Sequence, residues 1–195
     1  MLFRSIACVN NLKQLGLGFA MYSDSNRDNY PWWNWTTHNP LPAAQQPAQW
    51  FAAIAPYVGS GDVFICSSRS DGDLRTWGGY YGQKIPNSNA KPCYGYNEQI
   101  SGTPTTETQT TRTSEILLAG DARHVLGGGI LDGYLVRYVT VTGGSDTVIA
   151  DLGNYCAHSS GSNVVYADKH VSWSAWRQLR PTGQGGSIRY YRTEW

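Results

Sequence analysis

Apolar residues recur at helical spacing from the start of the chain. Ile6, Val9, Leu12, Leu15, Phe19 and Tyr22 follow one another at three- and four-residue steps, with Asn10, Asn11, Lys13 and Gln14 between them. The pattern predicts one long amphipathic helix over residues 5–22, about 27 Å from end to end at 1.5 Å per residue. Ser23, Asp24, Ser25 and Asn26 then end it, because their side chains compete for backbone hydrogen bonds. At the other end the stripe begins almost at residue 1 with no cap beyond Ser5, as in a helix that starts further upstream.

The rest of the chain is broken into short pieces. A stretch rich in Pro and Trp follows the helix, and Trp50, Ile54 and Tyr57 predict a second, short helix over residues 49–57. Strand character then appears at residues 63–66, 94–96, 115–119, 134–141, 163–167 and 170–173, separated by turn residues and a Thr-rich connector over 103–113. The last two pieces predict a hairpin turning at Asp168-Lys169. A two-residue turn there needs positive φ at its second position, which disfavours Lys169 by about 1 kcal/mol relative to Gly. One long helix followed by short strands predicts an α+β fold, the helix packed on a small antiparallel sheet with long loops. We read residues 1–195 as a single domain: the helix, a loop-rich region over 23–113 and a sheet region over 114–195.

Composition narrows the function. The 195 residues carry 15 Lys+Arg against 14 Asp+Glu, a net charge of +1, and both halves are nearly balanced. That balance argues against a dedicated nucleic-acid binder, which concentrates basic residues along its contact surface. The four arginines Arg177, Arg180, Arg189 and Arg192 among C-terminal aromatics read better as a solvated face. Charged residues make up 15%, and 22 Gly, 8 Trp and 13 Tyr stand in their place, against about 25% charged in an ordinary soluble domain. Low charge with many aromatics suits a secreted or cell-surface protein. The chain shows neither a signal peptide nor an apolar run long enough to span a membrane, so we expect an export segment to have preceded it.

Cys8, Cys66, Cys93 and Cys156 contain no C-x-x-C pair and therefore no zinc-knuckle or thioredoxin motif. Cys66 closes one apolar run and Cys93 opens an aromatic one, so a Cys66–Cys93 bridge would staple the polar loop between them. Four buried thiols are the alternative.

Several segments together resemble a family. Cys8-Val9-Asn10-Asn11-Leu12-Lys13-Gln14-Leu15-Gly16 running into Met21-Tyr22 is similar to the exposed half of the helix in bacterial prepilin-like proteins of the DUF1559 type. These carry a type IV pilin leader and a C-terminal H-x9-D-G signature. Ile54-Ala55-Pro56-Tyr57-Val58, Val63-Phe64-Ile65-Cys66, Tyr94-Gly95-Tyr96-Asn97 and Ser114-Glu115-Ile116-Leu117 through Gly120-Asp121 follow in matching order. His158 and Asp168 stand at the signature's spacing, with Lys169 in place of its Gly.

The resemblance implies a pilin-like fold and a structural subunit of a type II secretion pseudopilus or type IV pilus-like filament. It implies no catalysis, and we expect no cofactor unless calcium binds, as it does in a C-terminal loop of major type II secretion pseudopilins. Partners would be copies of itself or other pilin-like subunits, meeting through the N-terminal helix, together with the secretion or pilus machinery. Localisation would be periplasmic or cell-surface, with inner-membrane anchoring by a half-helix upstream of the chain.

Three groups of residues invite chemistry. Asp121, His158 and Asp168 could hold a metal, calcium being the cation that carboxylates favour and a transition metal the one that His favours, but a His–Asp latch fastening a loop to the hairpin is the stronger reading. Trp32, Trp33, Trp35, Trp77 and Tyr81 could stack on sugar rings, making the chain a surface glycan-binding module that takes polysaccharide as its partner. Protein contact is the commoner use of such aromatics. Asp24-Ser25-Asn26-Arg27-Asp28 opens like a calcium loop, but Asn29 replaces the required Gly and position twelve is Trp35, so a helix-ending turn is expected. No G-x-S-x-G elbow and no singled-out carboxylate pair point to a hydrolase.

Overall fold

A computed structural model describes residues 2–31, 49–67, 92–97, 100, 113–121, 123–126, 129–132, 135–136, 139–140, 147–148, 158 and 161–175. The first element, α1, runs Leu2–Ser25, three residues longer at each end than the predicted helix. Its buried stripe is Cys8, Leu12, Leu15 and Phe19, the four-three-four spacing that keeps side chains within a narrow arc. Ile6 was expected in that stripe and is instead exposed. The steps from Ile6 through Val9 to Leu12 are all of three residues, and each falls about 60° short of a full turn. Ile6 therefore comes to lie opposite the core. Past Ser25 the backbone takes left-handed values at Arg27 (φ 56°) and Asp28 (φ 67°). The Asp28 and Asn26 amides donate to the Ser23 carbonyl at 2.9 and 3.0 Å, and Asn26 Nδ2 caps the Tyr22 carbonyl at 2.8 Å. This is the helix-ending turn that the sequence predicts.

The second helix, α2, runs Trp50–Val58 and buries Trp50, Phe51 and Ile54. It crosses α1 at Gly18, where a Cβ would stand 2.6 Å from Val58 Cγ1. Only glycine admits so close a crossing. The predicted strand at 63–66 is replaced by a 3-10 helix, Gly61–Phe64. Ser60 accounts for the difference: its hydroxyl accepts the Asp62 amide at 3.2 Å, and Ile65 N–H closes the turn onto the Asp62 carbonyl at 3.0 Å. A local side-chain cap thus overrides strand propensity in a short apolar run.

Among the described residues, five strands form one sheet in the order β5-β1-β2-β8-β9. Its members are β1 (Tyr94–Asn97), β2 (Leu117–Asp121), β5 (Leu135–Val136), β8 (Gly161–Tyr166) and β9 (Val171–Ala175). The pairs β1–β2, β2–β8 and β8–β9 are antiparallel, and the short β5 joins β1 in parallel at one edge. Two separate ribbons, β3 (Arg123–Leu126) with β4 (Gly129–Asp132) and β6 (Val139–Thr140) with β7 (Thr147–Val148), lie between β2 and β8 in sequence. The α+β architecture is as expected, with α1 resting on β8 and β9 and meeting α2 and the 3-10 helix.

The β8–β9 turn differs from expectation. Lys169 N–H donates to the Tyr166 carbonyl at 2.8 Å and Tyr166 N–H to the His170 carbonyl at 2.9 Å, so the loop has three residues, Ala167, Asp168 and Lys169. Lys169 alone of these is left-handed, at φ 72°. This is a type I turn closed by a G1-type bulge, whose third position favours glycine.

The core is aromatic where α1, α2 and β1 meet. The rings of Phe19, Trp50 and Tyr96 form a triangle: Phe19 lies 5.7 Å from Trp50 (22°) and 5.0 Å from Tyr96 (18°), and Trp50 and Tyr96 are 5.8 Å apart. Trp50 in turn meets Phe51 edge-on and Phe64 at a tilt, both at 5.8 Å.

Candidate functional site

A second convergence, made of sulfur and polar groups, lies nearer the start of α1. Cys8 faces inward from the second turn of the helix, and Cys66 follows the 3-10 helix. The two form a disulfide with Cα atoms 5.4 Å apart, inside the usual range. The expected Cys66–Cys93 bridge is therefore not formed. Cys93 does reach this segment, but its N–H donates to the Phe64 carbonyl at 2.8 Å. Its backbone is thereby registered against Phe64 rather than Cys66, and it stands outside the disulfide as a buried thiol. Asn11, one turn past Cys8, ties the same junction together by donating from Nδ2 to the Ile65 carbonyl at 2.8 Å and the Tyr94 hydroxyl at 3.3 Å.

Two of the three predicted metal residues come to this point. Asp121 ends β2, and its Oδ2 accepts the Asn163 backbone N–H at 2.9 Å and Asn163 Nδ2 at 3.0 Å. His158 is held just before β8 from both sides of its backbone. Its N–H reaches the Gly161 carbonyl at 3.3 Å, and its carbonyl accepts Trp173 Nε1 at 2.8 Å. The Trp173 ring in turn needs Gly161, where a Cβ would lie 2.5 Å from it. So held, His158 Nε2 stands 3.2 Å from Asp121 Oδ2 and 3.6 Å from Cys66 Sγ. One donor atom from each of Cys8, Cys66, Asp121 and His158 lies within 4.8 Å of all the others, and all four residues are buried.

Asp168 is elsewhere. Its Oδ1 meets His170 Nδ1 at 2.6 Å and accepts the His170 N–H at 3.1 Å, inside the hairpin turn. His158 precedes β8 and Asp168 follows it, so a six-residue strand separates them by about 20 Å. Nine intervening residues put the pair at opposite ends of one strand. The expected His158–Asp168 latch is therefore not formed; Asp121 is the carboxylate that faces His158. Cys8 was missed, although its place on the 8, 12, 15, 19 stripe marks it as inward-facing.

The cluster is not a nucleophile–base–carboxylate relay. Such a relay uses both imidazole nitrogens, one toward the nucleophile and one toward the acid, whereas here Nε2 faces both Cys66 and Asp121. Asp121 Oδ1 is buried with no hydrogen-bond partner among the described residues. Trp32, Trp33, Trp35, Trp77 and Tyr81 lie outside the described residues.

The cluster's helical side falls within the stretch that has a family likeness. Residues 3–70 match the model of a family described as a protein of unknown function, DUF1559. That family is associated with pilin-like proteins. The match takes in α1, α2, the 3-10 helix and both cysteines of the disulfide. Neither a curated protein nor a solved structure matches the chain. No described helix is long and apolar enough to cross a membrane.

Proposed function

We propose that the protein is a structural subunit of a pilin-like filament, a type II secretion pseudopilus or a type IV pilus-like fibre, that assembles through α1. The observation that carries this reading is the two-faced character of that helix. Its inner stripe is committed to the sheet and α2. On the opposite face Leu17 and Met21, one turn apart, are 62% and 50% exposed, with Ile6 further along the same side. Large apolar side chains at i and i+4 on an outer helix face suit packing against another helix. Family likeness over residues 3–70 supports the same role. In this reading neighbouring subunits line up their helices, the sheet domains face outward, and the protein is held periplasmically or at the cell surface by a segment upstream of α1. The work is assembly rather than catalysis.

The test places single cysteines on this face in the source cells. Leu17→Cys or Met21→Cys, treated with a bifunctional maleimide, gives a covalent dimer, the most that one thiol per subunit allows, whereas Asp62→Cys, on an exposed part of the 3-10 helix, gives none. Monomers alone at both helix positions would contradict assembly through this face. The native cysteines do not interfere, since two are bonded and Cys93 is buried, and Cys156→Ser removes the fourth.

A further inference from the structure

We propose that Cys8, Cys66, His158 and Asp121 form a redox-gated zinc site, in which the same side chains hold either a disulfide or a Zn²⁺ ion. The site is independent of how subunits assemble. Four elements deliver one donor each: α1, the segment after the 3-10 helix, the end of β2 and the turn before β8. Two sulfurs, an imidazole nitrogen and a carboxylate oxygen are a zinc donor set. Calcium takes oxygen ligands and would leave both sulfurs unused.

Spacing agrees with the donor set. Around a tetrahedral zinc, with bonds of about 2.0–2.3 Å, ligand atoms stand about 3.3–3.8 Å apart. The His158–Asp121 and His158–Cys66 separations of 3.2 and 3.6 Å already lie at such edges. Opening the sulfur–sulfur bond leaves small movements to complete the rest. The buried Asp121 Oδ1, without a partner among the described residues, is the kind of group a bound cation offsets. Asn163 donates two N–H groups to Oδ2, the oxygen that faces His158, which is outer-shell support that orients the carboxylate.

The exchange balances as follows. A dithiol reductant delivers two electrons and two protons to the Cys8–Cys66 bond and leaves as its own disulfide. Zinc binding then releases both thiol protons to solvent and leaves two thiolates on the metal. An oxidising partner disulfide reverses the sequence and expels the ion. Either state ties α1 to the segment after the 3-10 helix, so the domain stays closed while its metal content reports the redox condition around it.

The experiment uses the intact protein, reduced anaerobically with a phosphine, which does not compete for zinc. Reduced protein should retain about one zinc per chain after gel filtration, and oxidised protein none. Cobalt(II) in place of zinc should give sulfur-to-metal charge-transfer bands and the strong visible bands of a tetrahedral site. His158→Ala and Asp121→Asn should each weaken zinc affinity by roughly tenfold or more, and Cys8→Ser with Cys66→Ser should abolish the charge-transfer bands. Near-UV circular dichroism of the reduced, zinc-loaded protein should match that of the oxidised form. A reduced, folded protein that binds no zinc would overturn the proposal. So would cobalt spectra without sulfur bands in the reduced protein, affinity unchanged in both His158→Ala and Asp121→Asn, or unfolding on reduction despite zinc.

Discussion

The two halves of α1 are fastened by different physics. Toward its C-terminal end, Phe19 packs against the rings of both Trp50 and Tyr96, and attachment comes from apolar area removed from water and from close packing. Toward its N-terminal end, Cys8 is covalently joined to Cys66 beside a His–Asp pair, and Asn11 adds hydrogen bonds to Ile65 and Tyr94. The aromatic end holds under any redox condition. The sulfur end depends on chemistry that the surroundings can change. A helix attached in both ways can keep one face clamped to its domain while the other stays available.

The largest effect is expected at the aromatic end. Phe19→Ala removes a ring stacked on two others and should cost about 3–5 kcal/mol, read as the loss of unfolding free energy in urea. Replacing both Cys8 and Cys66 by Ser opens a loop spanning 58 positions, a loss of about 4 kcal/mol on the chain-entropy account. If the two ends are independently fastened, the combined variant should show nearly additive losses. A strong departure from additivity would mean that the sulfur end sets the aromatic packing.

Smaller substitutions sharpen the contrast within the core. The Tyr96 hydroxyl is buried without a partner among the described residues, and burial pushes its pKa well above the usual tyrosine range. Burial also raises Tyr22 and Tyr166. Above about pH 10 the unfolded chain releases these protons while the folded chain keeps them. Stability is therefore complete below pH 10 and falls as pH rises toward the folded-state values. Tyr96→Phe should add about 1 kcal/mol at neutral pH and make the alkaline fall shallower. The smallest effect is expected at the hairpin. Lys169→Gly relieves a left-handed backbone worth about 1 kcal/mol but loses the Nζ bond to the Ala167 carbonyl and the approach to the Tyr30 ring. The net gain should be under about 1 kcal/mol, seen as a small rise in Tm, with Lys169→Ala lower than the parent.

The same contrast explains how far the sequence could be read. Elements whose pattern is local were legible: α1 from its apolar stripe, and β1, β2, β8 and β9 from short β-rich runs between turns. Where one side chain decides, local reading failed. The Ser60 hydroxyl turned an apolar run into a 3-10 helix, and a left-handed Lys169 closed a three-residue loop. The site was legible only in part. Asp121 and His158 stand out as a carboxylate and a His within matching segments, but Asp168 shares the signature with His158, and its nine-residue spacing puts the two at opposite ends of β8. Cys8 was missed because a disulfide partner is chosen by the crossing of elements, which no spacing along the chain encodes.

The central claim, that α1 builds the domain with one face and the filament with the other, is tested most directly by charging the outer face. Leu17→Asp together with Met21→Asp, in source cells carrying a crosslinking cysteine at position 6 in place of Ile6, should abolish the crosslinked dimer. In the isolated domain the same pair should shift Tm by no more than about 2 °C, since exposed substitutions typically change stability by about 0.5 kcal/mol or less. An undiminished yield of crosslinked dimer, or a domain that melts far earlier, would contradict the division of labour between the two faces.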